Sequence, residues 1–256
     1  MNILKDAFLG GLSFLGLPED RAVILMYHSI SPGIDYFMNV EPKEFEQQMK
    51  YLADSKRPVI SLSELVRRLR NKEPLGSSLV LTFDDGYRDN YEIAFPILKR
   101  HNFPATIFVT TGLIGKSDKR ALPRLSVEQL KEMESSSLID IEPHTVSHPK
   151  LATLNAADAK KEIDDAKKII EELLGKKAAH FAYPYGSYAP ETERIVRECG
   201  FESATSVREG TVGADSDLLH LSRVSIDSST TFAQFRGKLS RGVDVYQWTK
   251  RLFTRT

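Results

Sequence analysis

The chain has 256 residues, 41% of them apolar, which suffices for one large α/β domain with a sizeable core. Lys plus Arg and Asp plus Glu each number 35, so the basic footprint of a phosphate-neutralising protein is missing and nucleic acid is not an expected partner. Cys199 stands alone, which excludes an intrachain disulfide and leaves the redox compartment open.

Residues 1–20 read as a lead-in segment and 21–256 as a single domain with a helical tail. Ile3 to Leu17 is mildly apolar, but Lys5 and Asp6 interrupt it, the basic n-region is thin, and the run is too short to span a bilayer. The expectation is an amphipathic stretch capable of weak membrane association. With no clear cleavable signal, the expected location is the cytoplasm or the membrane periphery.

Ala22 to Tyr27 predicts the first strand, followed by Phe45, Met49 and Leu52 at helical spacing. Val59-Ile60 leads into a helix opened by a Ser61/Glu64 capping box. Ser78 to Phe83 is a mostly apolar strand ending in Asp84-Asp85-Gly86, and Tyr91 to Arg100 returns as a helix. Next come a strand at Ala105 to Thr110, a second capping box at Ser126/Gln129, and a strand at Leu138 to Glu142. Asn155 to Leu174 reads as an amphipathic helix stopped by Gly175. Ala179 to Ala182, Ser203 to Val207 and Leu219 to Ile226 complete the strands, with Pro190 opening a helix that runs to Cys199. Phe232 to Phe253 is the helical tail. About seven strands alternating with helices predict an α/β fold, a distorted parallel (β/α) barrel with its functional loops at the strand C-termini.

Two features carry chemistry. Thr82 to Tyr87 delivers adjacent carboxylates where a buried strand emerges, and alternation along a strand allows them different tasks. His144 and His148 lie four residues apart between Pro143 and Pro149, so one tight turn can aim both rings at one ion. Alone, an Asp-Gly pair is also common turn punctuation. Together, Asp85, His144 and His148 match a catalytic zinc shell that keeps a coordination position open, with Asp84 as the nearby base.

These residues resemble the polysaccharide deacetylase family, the NodB-homology or carbohydrate esterase 4 group, over most of Ala22 to Ile226. The resemblance implies Asp84 as general base, Asp85, His144 and His148 as metal ligands, and the Tyr185 backbone N–H of Tyr183-Pro184-Tyr185-Gly186 as an oxyanion donor. The family's arginine two positions before the motif proline is replaced by Ala182, and Arg223 is expected to serve Asp84 instead. The general acid comes either from His28, closing the first strand as in a circularly permuted subgroup, or from His220 in Leu218-Leu219-His220. Barrel geometry favours His28, at a strand's C-terminal end. His101 and His180 are expected to be structural, and Tyr27, Tyr87, Tyr183 and Tyr185 to be either sugar platforms or packing.

The implied activity is hydrolytic removal of N-acetyl groups from an amino-sugar polysaccharide, oligosaccharide or glycolipid, releasing acetate. One divalent ion is expected, Zn2+ first, with Co2+, Ni2+, Mn2+ or Fe2+ open. The partner is the N-acetylated glycan or glycolipid, and the sequence assigns no oligomeric state. The alternatives are an amide hydrolase of small nitrogenous substrates and a noncatalytic carbohydrate-binding homologue.

Overall fold

The computed structural model describes residues 10–11, 18, 20–118 and 120–253. The expected lead-in at 1–20 lies almost wholly outside the described residues, within which no helix is long and apolar enough to cross a membrane.

The elements run β1 (Arg21–Tyr27), α1 (Pro42–Asp54), α2 (Leu62–Asn71), β2 (Leu79–Asp85), α3 (Phe95–His101), β3 (Ala105–Val109), α4 (Val127–Ser135), β4 (Ile139–Pro143), α5 (Ala156–Leu174), β5 (His180–Ala182), α6 (Pro190–Glu198), β6 (Ser203–Thr205), β7 (Val212–Gly213), β8 (Val224–Ser225), α7 (Phe232–Lys238) and α8 (Gly242–Phe253). Strands β1 to β4 pair in parallel in the order β4-β3-β2-β1, with β8 parallel to the far side of β1. Strands β5 and β6 form a second parallel pair, and Thr205 of β6 bridges Leu221 just ahead of β8. The parallel strands thus follow one another round a distorted (β/α) barrel. The short β7 pairs antiparallel with the start of β1.

Alternation assigns the two faces of each strand. Leu79, Leu81 and Phe83 of β2, with Val23, Leu25 and Tyr27 of β1, belong to the larger apolar cluster that takes in α1, α3, α4 and α5. Val80, Ile24, Phe108, Ala182 and Leu221 form an inner cluster that Leu62, Leu65 and Val66 of α2 close off. Strands buried on both faces read as continuous apolar runs, which is why β1 and β2 carry almost no polar residue before their last turn of chain.

Between β4 and β5 a side chain replaces the ladder. The Glu142 carboxylate accepts from the backbone N–H groups of Ala179 and His180 at 3.1 Å each. Just above, the His144 Nδ1–H donates to the Ala182 carbonyl at 2.7 Å. This seam is the distortion of the barrel.

Several local expectations are corrected. The strand expected over Leu219 to Ile226 shrinks to β8, because the Asp217 carboxylate and carbonyl take the N–H groups of Leu219 and His220 into a turn. The Ser61 box is half made: Ser61 Oγ accepts from Glu64 N at 3.1 Å, but the Glu64 carboxylate turns to Arg67 and Arg68. Charge-assisted bonds to guanidinium groups outcompete one backbone N–H. The Ser126/Gln129 box is complete, and Gly175 ends α5 at φ 66°.

Glu142→Ala leaves two buried N–H groups at the seam without acceptors. Its expected cost is about 2–4 kcal/mol of unfolding free energy, read from chemical denaturation; an unchanged midpoint would remove the carboxylate's assigned place in closing the barrel.

Candidate active site

The site lies at the C-terminal ends of β1, β2 and β4, with the loop after β5 and the segment entering β8 completing it. Asp84 follows Val80 and Thr82 on the inward face of β2. Strict alternation would turn Asp85 outward, but its φ of 75° breaks the extended path at the strand end. Both carboxylates consequently line one cavity of about 450 Å³, together with His28, His144, His148 and Tyr185.

Pro143 ends β4, and the following loop holds both imidazoles through two left-handed backbone positions, Thr145 at φ 64° and His148 at φ 61°. Asp85 Oδ1 lies 3.3 Å from His148 Nε2 and 3.9 Å from His144 Nε2. These ligand atoms all fall within 4.8 Å of one another. Burial pushes the His144 imidazole down to about 4, and its Nδ1–H is committed to Ala182, so at neutral pH an unprotonated Nε2 faces Asp85. For Asp85, burial pushes the carboxyl up, but His28, His148, His144 and Arg124 together bring it below the ordinary carboxylate value. One carboxylate and two imidazole nitrogens form a donor set that fits a divalent ion.

A second acidic and histidine cluster, Asp140, Glu142 and His180, does not fit one. The Lys176 ammonium already pairs with Asp140 and, at 3.0 Å, with Glu134. The His180 nitrogens bond Ser203 and Ser63, each at 2.9 Å, as befits a structural histidine.

Arg223 meets Asp84 in the two-pronged arrangement expected of it. Its Nη1 and Nη2 donate to Oδ1 and Oδ2 at 2.6 and 2.7 Å, and Nε donates to the Ser206 carbonyl at 3.0 Å. Arg223 is 0% exposed. Burial pushes Asp84 up, yet the Arg223 charge, with His144 and His28, more than offsets this and holds the carboxyl far below its usual range. Ala182, at the place of the family's usual arginine, is fully buried in the inner cluster, and the guanidinium that meets Asp84 comes instead from the segment entering β8.

His28 opens into the cavity while His220 does not. The His28 carbonyl is held by Asn90 Nδ2 at 2.8 Å, where a π-helical turn (Asn90–Ala94) precedes α3. Burial pushes the His28 imidazole down, against an upward pull from Asp84 and Asp85. His220 stacks on Tyr188 with ring centroids 4.2 Å apart and borders a different cavity. Of the four tyrosines, Tyr27, Tyr87 and Tyr183 are buried, whereas Tyr185 is exposed and packs its ring edgewise on His148 at 4.5 Å.

Sequence reasoning missed the groups that hold the site in shape. Glu162 of α5 accepts from the N–H groups of Val146 and Ser147 at 2.9 and 2.8 Å and from Ser147 Oγ at 2.6 Å, suspending the imidazole loop. Buried Arg124 donates to the Asp85 carbonyl at 2.9 Å and lies 3.7 Å from the Tyr87 ring centroid. Neither role has a local signal, since each depends on a partner tens of residues away.

A (β/α) barrel carrying carboxylates and imidazoles at its strand C-termini is the architecture of the NodB-like deacetylases. The polysaccharide deacetylase family profile matches residues 71–204. The chain is 34% identical over 213 residues to YxkH of Bacillus subtilis (strain 168), assigned to the polysaccharide deacetylases, covering 83% of this chain and 74% of that protein. It is 26% identical over 230 residues to the poly-beta-1,6-N-acetyl-D-glucosamine N-deacetylase of Staphylococcus aureus (strain MSSA476), covering 81% and 79%. Among solved structures it resembles the Streptococcus pyogenes deacetylase PplD in complex with acetate, with a TM-score of 0.77, 30% identity, and coverage of 87% and 100%. The chain belongs to the polysaccharide deacetylase family, hydrolases of carbon–nitrogen bonds.

Arg223→Met strands a buried carboxylate and is expected to cost about 3–5 kcal/mol in chemical denaturation. Because the folded pKa of Asp84 is depressed, the pair's contribution is present above the unfolded carboxylate pKa of about 3.9 and is lost as pH falls below it. Melting curves of wild type should show this acid loss, and those of the Asp84→Asn/Arg223→Met double variant should show less of it; identical acid profiles would discard the coupling.

Proposed function

We propose that the protein is a metal-dependent N-deacetylase of an N-acetylated amino-sugar glycan, with Asp85, His144 and His148 holding the ion and Asp84 acting as general base. The observation that carries this reading is the convergence of the three ligand atoms within 4.8 Å beside a second carboxylate clamped by Arg223. Zn2+ suits two imidazoles and one carboxylate with a position left open. An ion there supplies Lewis acidity to the acetamide carbonyl and lowers the pKa of water to about 7.

The rest of the chemistry belongs to the chain. Arg223 keeps Asp84 ionised and fixes its plane, which orients the carboxylate to accept the proton of the water that attacks the acetamide. The Tyr185 N–H is assigned to the oxyanion of the tetrahedral intermediate, a contribution of about 2.7–4 kcal/mol for a well-placed donor. His28, at the end of β1 and lining the same cavity, is assigned to protonate the departing amine. The relative that acts on poly-beta-1,6-N-acetyl-D-glucosamine supports an amino-sugar polymer as the substrate class.

Acetate release from N-acetylglucosamine oligomers, with and without chelator, tests the reading. Asp84→Asn is expected to keep stoichiometric metal and lose turnover, whereas His144→Ala loses both; normal activity and metal content in both variants would refute the assignment. His28→Asn should lower kcat by about 10²–10⁴-fold. His220→Asn should lose at least about tenfold less than His28→Asn, and the reverse order would transfer the acid to His220.

A further inference from the structure

The large apolar side chains with substantial exposure among the described residues do not scatter. They are Phe37 at 61%, Tyr185 at 58%, Tyr188 at 37%, Val207 at 42% and Trp248 at 62%. Phe37, Tyr185 and Val207 line the cavity that holds Asp84 and His28. Tyr188 and Trp248 line a second, polar cavity of about 420 Å³. Glu209 borders both, its carboxylate held from α8 by Gln247 Nε2 at 2.5 Å and lying 3.5 Å from Lys238 Nζ. One wall residue therefore joins the catalytic cavity to its neighbour.

We infer that the cavity between Tyr188 and Trp248 is a distal glycan subsite, so that the enzyme grips a polymer several sugars from the acetamide it cleaves. This rests on the deacetylase reading above and deepens it to an extended chain. The chemistry of the lining favours a sugar over other ligands. Tyr188 stacks on His220 at a centroid distance of 4.2 Å with Tyr183 at 5.1 Å, which holds its ring in place while it keeps 37% of its surface exposed. Around it stand hydrogen-bonding groups of both kinds, among them Arg208, Asp217 and Gln247. Pyranose rings present apolar C–H faces and a rim of hydroxyls, and this combination matches aromatic rings set among mixed donors and acceptors. Glu209, Asp215, Asp217 and Asp244 outnumber Arg21 and Arg208 in the lining, a mixed wall that suits neutral hydroxyls better than phosphate backbones or anionic lipid headgroups.

Trp248 is the only tryptophan in the chain, so its emission reports this cavity directly. In the metal-loaded Asp84→Asn protein, titration with β-1,6- and β-1,4-linked N-acetylglucosamine oligomers is expected to change the emission for the hexamer and not for the dimer. In turnover, kcat/KM of the wild type should rise from dimer to hexamer, and Trp248→Ala and Tyr188→Ala should each shrink that rise by about two- to tenfold. An emission indifferent to a hexamer that the wild type hydrolyses, or a length dependence equal in wild type and both variants, overturns the subsite. An emission change produced by phosphatidylcholine or phosphatidylglycerol vesicles and not by the hexamer also overturns it, assigning the face to a lipid surface. Failure of the wild type to deacetylate any oligomer strikes the parent reading instead, and the emission titration still decides the subsite.

Discussion

A charge pair sealed inside the barrel is the constraint on which the rest of this molecule turns. Arg223 and Asp84 are 139 positions apart in sequence, come from the segment entering β8 and from β2, the two parallel neighbours of β1, and meet almost wholly buried at the wall of the cavity. Neither charge is tolerable alone in that interior, and their mutual attraction only offsets the loss of hydration when the geometry is two-pronged and the remaining donors are satisfied. Ser206 and Thr82 take those remaining donors. Docking of β8 beside β1 thus places the guanidinium that clamps the Asp84 carboxylate. The pair also sets a chemical condition: the Arg223 guanidinium holds the Asp84 carboxyl in its anionic form and fixes its plane at the wall of the cavity.

The second constraint is backbone strain concentrated round the cleft. Asp85, Thr145, His148 and Tyr185 all adopt positive φ without being glycine. Such conformations cost of order 1–3 kcal/mol each and persist where their surroundings over-determine them. Here the surroundings are identifiable. Arg124 grips the Asp85 carbonyl, and Glu162 grips the loop between the two imidazoles. One outer helix, α5, and the loop ahead of α4 each thus brace the cleft through a single polar side chain.

Much of this was readable beforehand because it is written locally. The apolar runs of β1 and β2, the carboxylates at the end of β2, the paired histidines bracketed by prolines, and the Ser126 and Gly175 helix signals all concern residues close in sequence. Arg223 could be singled out because a missing arginine at position 182 demanded a replacement near another strand end. What escaped prediction was decided by competition between partners that sequence proximity does not reveal. Glu64 chose guanidinium groups over its own cap, and Asp217 folded His220 into a turn where a strand was expected. Burial of Tyr27 on Phe83, of Tyr87 under Arg124 and of Tyr183 against Phe181 decides for packing at three of the four tyrosines that composition alone could not tell from Tyr185. Glu162 and Arg124 look like ordinary surface charges until the fold brings them home.

The join between β4 and β5 has a further consequence. A wall closed by backbone ladders resists dilation, whereas one fastened by a carboxylate and an imidazole yields by side-chain rotation, at far lower energy. His144 is one of those fasteners, and its other nitrogen points at Asp85 on the neighbouring arc. Whatever fixes that second nitrogen also fixes the width of the gap. A cation held there, as the proposed function has it, would brace the weakest stave of the cask.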